Sequence, residues 1–520
     1  MFRRLILLAL LLGLELVAIT IWLDNAALLG GDGLVGLVGH WGAWILRGVV
    51  GFAALFLTFT WGRLQPLSGE IPALVNWPLL AAHFAGIGIF SSLSLRLYGN
   101  APSDYIAVCW LLAGISAIAL AAFSFVPPSI WWRVSRASGP ILIWALLAVV
   151  LACIAGNSMR SLWPWASDLT FRLSRAMLTP FVSKIIADPA TKTLGTPRFS
   201  VEIAPECSGL EGAGLMLAFG ALWLVLFRRE CRFPRALVLL PAGVFVLFLI
   251  NSLRIALLIL IGNAGAERIA LGGFHSQAGW IGFNLVAIGF CVAAIRLPWI
   301  RIAGAVETPE FAENPVAPWV VPFVAILAIG MLARTFTADF EWLYPLRLFA
   351  ALAAFLCFWH TYKSLNWRIG WAGPATGVLV FLIWIGFDRT AAAPEAMPAA
   401  LDAASAPARM LWLALRVFAA VITVPLAEEL AFRGFVYRRV VSADFESVSF
   451  RWFSWPALAI SSLAFGLLHG DRWFAGVVAG LLYGGVMLRR GRIGEAVAAH
   501  GTTNALIAVD VLAFHRWHLW

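Results

Sequence analysis

Three residues in the first half of the chain have the types that acyl transfer needs. Cys207 stands in Pro205-Glu206-Cys207-Ser208-Gly209-Leu210-Glu211-Gly212, just before an apolar run. Arg254 stands in Asn251-Ser252-Leu253-Arg254-Ile255, in the last turns of another run, and His275 in Phe274-His275-Ser276-Gln277-Ala278-Gly279-Trp280, just ahead of a third. The positive end of a helix macrodipole favours a thiolate nucleophile. An imidazole takes the thiol proton and returns it to a leaving amine, and a guanidinium stabilises the oxyanion of a tetrahedral intermediate. Together the three describe cysteine acyl transfer on a peptide bond. Each also has a plain reading, as a structural cysteine, an arginine snorkelling to headgroups and an ordinary loop histidine.

A second set lies in the last quarter of the chain. Glu428-Glu429-Leu430-Ala431-Phe432-Arg433 closes an apolar run, Phe465-Gly466-Leu467-Leu468-His469 closes another, and His500-Gly501-Thr502-Thr503-Asn504 lies in a third. Adjacent carboxylates at membrane depth are costly unless partnered. Glu429 and Arg433 are four apart and pair on one helical face, which leaves Glu428 on a neighbouring face for chemistry. His500 and Asn504 share a face by the same spacing. A carboxylate that deprotonates water, with His469, His500 and Asn504 holding water or oxyanion, makes a membrane hydrolase. Glu428, His469 and His500 also resemble a catalytic zinc set, so a divalent metal stays open here, although there is no His-Glu-x-x-His. The plain reading is an interhelical polar network. The cysteine set requires no cofactor.

The elements that carry these residues must be membrane helices. Of 520 residues, 62% are apolar and only 12% are Asp, Glu, Lys or Arg, about half the usual share of roughly 25%. Mean hydropathy is +0.88. Such a surface cannot be solvated, which excludes soluble, disordered, collagen-like, coiled-coil and nucleic-acid-binding classes. Six cysteines are too few for a disulfide framework. The expected fold is an all-α polytopic integral membrane protein, with the lipid bilayer as its first partner.

About 20 apolar residues cross a bilayer. Candidate spans lie near 5–23, 41–61, 73–93, 106–127, 141–158, 209–227, 236–262, 279–295, 316–333, 346–361, 374–387, 409–427, 455–469, 473–488 and 493–512. About 15 transmembrane helices in two helical bundles are therefore expected. Met1-Phe2-Arg3-Arg4 before the first span reads as a retained signal anchor with the N-terminus in the cytoplasm. Alternate loops then hold the arginines, for example Arg228, Arg229, Arg232 and Arg235, as the positive-inside rule expects. This trace places Cys207, Arg254 and His275 at the outer interface. It separates Glu428, toward the cytoplasmic side, from His469, toward the outer side. Segment 160–206 is too polar to span and reads as a long external loop. The less apolar stretches 302–317 and 390–408 suggest a boundary near 305, giving domains 1–305 and 306–520.

The Cys207, Arg254 and His275 segments resemble, in order and spacing, the three signature motifs of the exosortases, with a motif core over 106–296. Those are bacterial multi-span cysteine proteases or transpeptidases acting on exported proteins that carry a C-terminal hydrophobic sorting signal of the PEP-CTERM kind. The resemblance implies Cys207 as nucleophile, His275 as base and acid, Arg254 as transition-state partner, and a cytoplasmic (inner) membrane with the cysteine site facing the periplasm. The later segments, over 409–512, are similar to the CAAX-protease and bacteriocin-processing family, with its Glu-Glu-x-x-x-Arg, Phe-x-x-x-His and His-x-x-x-Asn hallmarks. That implies Glu428 as water activator, His469, His500 and Asn504 as partners, and Glu429 and Arg433 as support. The pairing resembles the exosortase–protease fusions of VPEID-CTERM systems. A multi-span transporter or a lipid-linked polysaccharide-processing protein is the alternative, but a transporter should show related halves with broken helices at matching positions, and none is visible.

Overall fold

The computed structural model describes scattered residues before 75 and then 75–99, 102–204, 207–302, 314–388 and 396–520. Within a bilayer every backbone polar group must be satisfied inside its own segment, and the chain answers with helices. Seven are long and apolar enough to span, and four shorter apolar helices accompany them among the described residues. The chain is thus a multi-pass membrane protein. The expected spans at 5–23 and 41–61, and the boundary near 305, lie largely or wholly outside the described residues.

The contacts divide the chain into two compact units, Met1–Pro164 and Trp165–Trp520. In the first, α1 (Trp77–Leu97) and α2 (Asp104–Phe125) pack together. Asn76 and Ser103 cap them, each accepting an amide of the first turn. Buried His83 joins them through the Ala117 carbonyl at 2.9 Å and faces the Glu15 carboxylate at 2.8 Å. An amphipathic helix α3 (Pro128–Ser138) follows, and α4 (Pro140–Leu178) runs on into the second unit.

The second unit holds every candidate residue. After α4 comes a feature that an all-α expectation lacks, a three-stranded antiparallel sheet of β1 (Ile186–Asp188), β2 (Thr193–Gly195) and β3 (Ser200–Glu202). The polar segment expected as loop is therefore helix to Leu178 and then sheet. Asp188 sets the first turn. Its carboxylate accepts the Ala190 amide and the Thr191 hydroxyl, both at 2.9 Å, and these bonds hold its carboxyl below the usual range. Lys192 pairs with Asp168 of α4. Val201, Leu194 and Ile203 bury against Phe171, Ile255 and Ile259.

Helices α5 (Leu210–Leu226), α6 (Arg235–Asn263) and α7 (Glu267–Arg296) then pack on one another around Met216, Leu247 and Phe290. Next come α8 (Ala317–Thr335), α9 (Leu346–Cys357) and α10 (Ala372–Gly386). The long α11 (Ala406–Val441) is followed by α12 (Trp455–Leu467), α13 (Trp473–Arg490) and α14 (Ile493–Phe514). α10 packs on α13 and α14, and α12 on α13, about a core holding Phe432, Phe465, Tyr483 and Ala499.

α11 continues 14 residues past the span end expected at 427, with π-helical turns at Ala419–Thr423 and Leu430–Val436. Such turns cluster at functional sites. The continuation places Glu428 inside a helix rather than at its end.

Candidate active sites

Cys207, Arg254 and His275 line one cavity of about 300 Å³, together with Ile255, Leu258, Leu271, the β3 residues and Ile203 just after them. Three elements converge there for local reasons. The Cys207 amide donates to the Ala204 carbonyl at 2.9 Å, and the Cys207 carbonyl accepts from Asn251 Nδ2 at 2.9 Å. Asn251 lies one turn before Arg254 on α6, so the same motif that carries the guanidinium ties down the cysteine loop. α4 secures both sides: Thr170 donates to the Ser208 carbonyl at 2.9 Å and Ser174 to the Ser252 carbonyl at 3.1 Å.

Gly209 starts α5 with φ of +89°, a left-handed conformation that favours glycine. A Cβ there would also meet Asn251 Nδ2 at 3.1 Å. Arg254 Nε is buried with no hydrogen-bond partner among the described residues. Gly279 of α7 makes room for that guanidinium, since a Cβ at this position would lie 2.9 Å from Arg254 Nη1. Beyond Arg254 a second cavity of about 200 Å³ is lined by Glu211, Asn251, Ser276, Gly279 and Trp280 among others. His275 follows a π-helical turn, Ala270–Phe274, whose Gly273 amide donates to the Thr337 carbonyl at 3.2 Å. No described hydrogen bond joins the three side chains to one another. They share a cavity wall, and catalytic contacts commonly tighten only when substrate is bound.

The second set is tighter at its centre. Glu429 and Arg433 are 0% and 1% exposed, and Arg433 Nη1 donates to Glu429 Oε1 at 3.1 Å, the pair that the four-residue spacing predicts. Arg433 Nη2 donates to the Gly480 carbonyl at 3.0 Å, and the guanidinium lies 4.4 Å from the Phe465 ring centre. From α14, His500 Nδ1 lies 3.0 Å from Glu429 Oε1. A carboxylate already paired with arginine accepts, so Nδ1 is assigned as the donor and Nε2 faces the other way. There it stands 3.9 Å from Glu428 Oε2, too far for a direct bond, and that oxygen is buried with no partner among the described residues. The Tyr483 ring stacks on the His500 ring at 5.0 Å and its hydroxyl donates to Thr503.

His469 and Asn504 join this centre less directly. His469 Nδ1 bonds the Phe465 carbonyl at 2.9 Å, and Phe465 stands between the two imidazoles, with ring centres 4.8 Å from His469 and 5.5 Å from His500. Asn504 Nδ2 donates to the Ala420 carbonyl at 2.8 Å, inside the first π-helical turn of α11. As a donor set for a metal, Glu428, His469 and His500 do not come together: no three His, Cys, Asp or Glu side chains among the described residues are grouped as ligands.

Sequence reasoning missed Tyr483, Asn251 and β3. A lone tyrosine among Gly480 and Gly484 in an apolar helix was the available signal for the first. For β3 it was the alternation Phe199-Ser200-Val201-Glu202-Ile203, which has a period of two.

The Arg433–Glu429 pair yields a stability prediction. Arg433→Ala leaves a buried carboxylate facing only His500, and it is expected to lower stability by about 3–5 kcal/mol. Thermal unfolding in detergent reads this, and an unshifted transition would show that the pair carries no such weight.

Comparison with known families gives two matches. Residues 43–295 match the family described as transmembrane exosortase (Exosortase_EpsH). Residues 410–506 match the family described as type II CAAX prenyl endopeptidase Rce1-like. No curated protein and no solved structure matches the chain. The first match holds Cys207, Arg254 and His275, and the second holds Glu428, Glu429, Arg433, His469, His500 and Asn504. Two families of peptidase thus match one multi-pass membrane polypeptide, the exosortases over its first part and the Rce1-like CAAX proteases over its last.

Proposed function

We propose that the first site is a cysteine protease or transpeptidase acting on exported proteins with a C-terminal hydrophobic sorting signal, of the PEP-CTERM or VPEID-CTERM kind. The observation that carries this reading is the single cavity lined by Cys207, Arg254 and His275. His275 takes the Cys207 proton as sulfur attacks the carbonyl carbon. The oxyanion forms beside Arg254, whose guanidinium is charged at any working pH. Collapse breaks the C–N bond, His275 protonates the leaving amine, and a thioester remains on Cys207 for water or an acceptor amine to resolve. By the exosortase resemblance the chain sits in the bacterial inner membrane, and the alternation of arginine-rich loops puts its N-terminus in the cytoplasm and this site at the periplasmic face.

The second site is a glutamate-dependent intramembrane peptidase. Glu428 and His500 Nε2, 3.9 Å apart, both accept, so one water donating to both would be held and deprotonated by Glu428. Glu429 and Arg433 fix the imidazole, as second-layer carboxylates do elsewhere. Its substrates are membrane-embedded peptides, including remnants of the first reaction. The prenyl in the family description is not carried over.

Hydroxylamine tests the thioester. Membranes holding the full chain and a sorting-signal substrate are expected to release the N-terminal product as a hydroxamate, read by mass spectrometry. Free acid alone at saturating hydroxylamine would overturn the covalent route.

A further inference from the structure

The sheet beside Cys207 has one edge to spare. In the order β1-β2-β3, β3 pairs only with β2, and residues 200–203 line the cavity that holds Cys207, Arg254 and His275. Ile203 N–H donates to the Lys192 carbonyl at 3.1 Å and Thr196 N–H to the Phe199 carbonyl at 2.8 Å. With the register Leu194 opposite Val201, the bonded pairs are 192/203, 194/201 and 196/199. Ser200 and Glu202 are the intervening residues, so their main-chain groups point away from β2 toward the outer edge. Among the described residues only the Glu202 carbonyl is otherwise used, accepting from Ala204 at 3.1 Å. The Ser200 amide and carbonyl and the Glu202 amide remain. Val201 and Ile203 meanwhile anchor the strand on the core beside Cys207.

We infer that this edge is the substrate's docking strand: the polypeptide to be cleaved adds beside β3 as a fourth, extended strand and is thereby led to Cys207. The occupant follows from what the edge adjoins. Cysteine acyl transfer needs an extended peptide laid across the nucleophile, and strand addition holds a peptide by its backbone while leaving alternate side chains free. That suits an enzyme reading short signals on different proteins. The exposed Glu202 side chain and the three-residue length of β3 discourage pairing with another copy of the chain.

This inference rests on Cys207 as the nucleophile, and its test separates the two claims. Synthetic sorting-signal peptides, each with one backbone amide replaced by an ester, are cleaved by the full-length wild-type protein. Strand addition predicts a loss in kcat/KM of roughly three- to tenfold at the one position whose N–H meets the Ser200 carbonyl, and smaller changes elsewhere, since that ester deletes a hydrogen bond. Glu202→Pro removes an edge donor, and proline is tolerated on an outward-facing edge position. It is expected to lower kcat/KM by a similar factor. Losses spread evenly along the peptide, or no loss at any position, with cleavage still abolished by Cys207→Ala, would overturn strand addition alone. Cleavage that persists in Cys207→Ala would instead overturn the nucleophile. The ester series uses no enzyme variant, so it decides even if Glu202→Pro does not fold.

Discussion

Cys207→Ala is expected to abolish processing of a co-expressed sorting-signal substrate, with a fall in rate of at least roughly a thousandfold. The methyl side chain leaves Arg254 and His275 in place but offers no atom to form the thioester. The fold should persist, because the anchors of this loop are main-chain bonds: the Cys207 carbonyl to Asn251 and the Ser208 carbonyl to Thr170. Precursor and product sizes on a blot read the effect, and the unfolding temperature checks the fold. Normal processing in this variant would remove Cys207 from the chemistry.

Glu428→Gln is expected to silence the second site and spare the first. The amide keeps the shape of the carboxyl but cannot take a proton from water, which removes a general-base contribution of about 10²–10⁴-fold. Glu429, Arg433 and His500 bond one another rather than Glu428, so their network should survive. The measurement uses Cys207→Ala as background, where any cleavage of a membrane-embedded reporter peptide belongs to the second site. Cleavage there that is insensitive to Glu428→Gln, or no cleavage in the background itself, would refute the assignment. A sorting-signal cut that fails in Glu428→Gln alone would show instead that the two sites do not act separately.

Much of this architecture could be read from hydropathy, because a bilayer leaves the backbone one local solution. The runs expected at 209–227, 236–262 and 493–512 are helices at Leu210–Leu226, Arg235–Asn263 and Ile493–Phe514. The expectation failed where burial was achieved by charge rather than by apolar side chains. Glu428, Glu429 and Arg433 read as the end of a span at 427, yet the helix runs to Val441. The ion pair of Glu429 with Arg433 and the hydrogen bond from His500 make that interior tolerable, and His500 lies 71 positions away from Glu429 in the chain.

Residue types and motif order named the chemistry: a thiol, guanidinium and imidazole in one half, and a carboxylate with imidazoles in the other. Their grouping into sites depends on packing, since side chains meet across helices whose separation in sequence carries no distance. Asn251 holding the Cys207 loop, Gly279 yielding space to Arg254, Phe465 standing between His469 and His500, and the unpaired edge of β3 at the cavity are consequences of long-range contact. No local spacing encodes them, because each depends on the rotation and depth of one element against another.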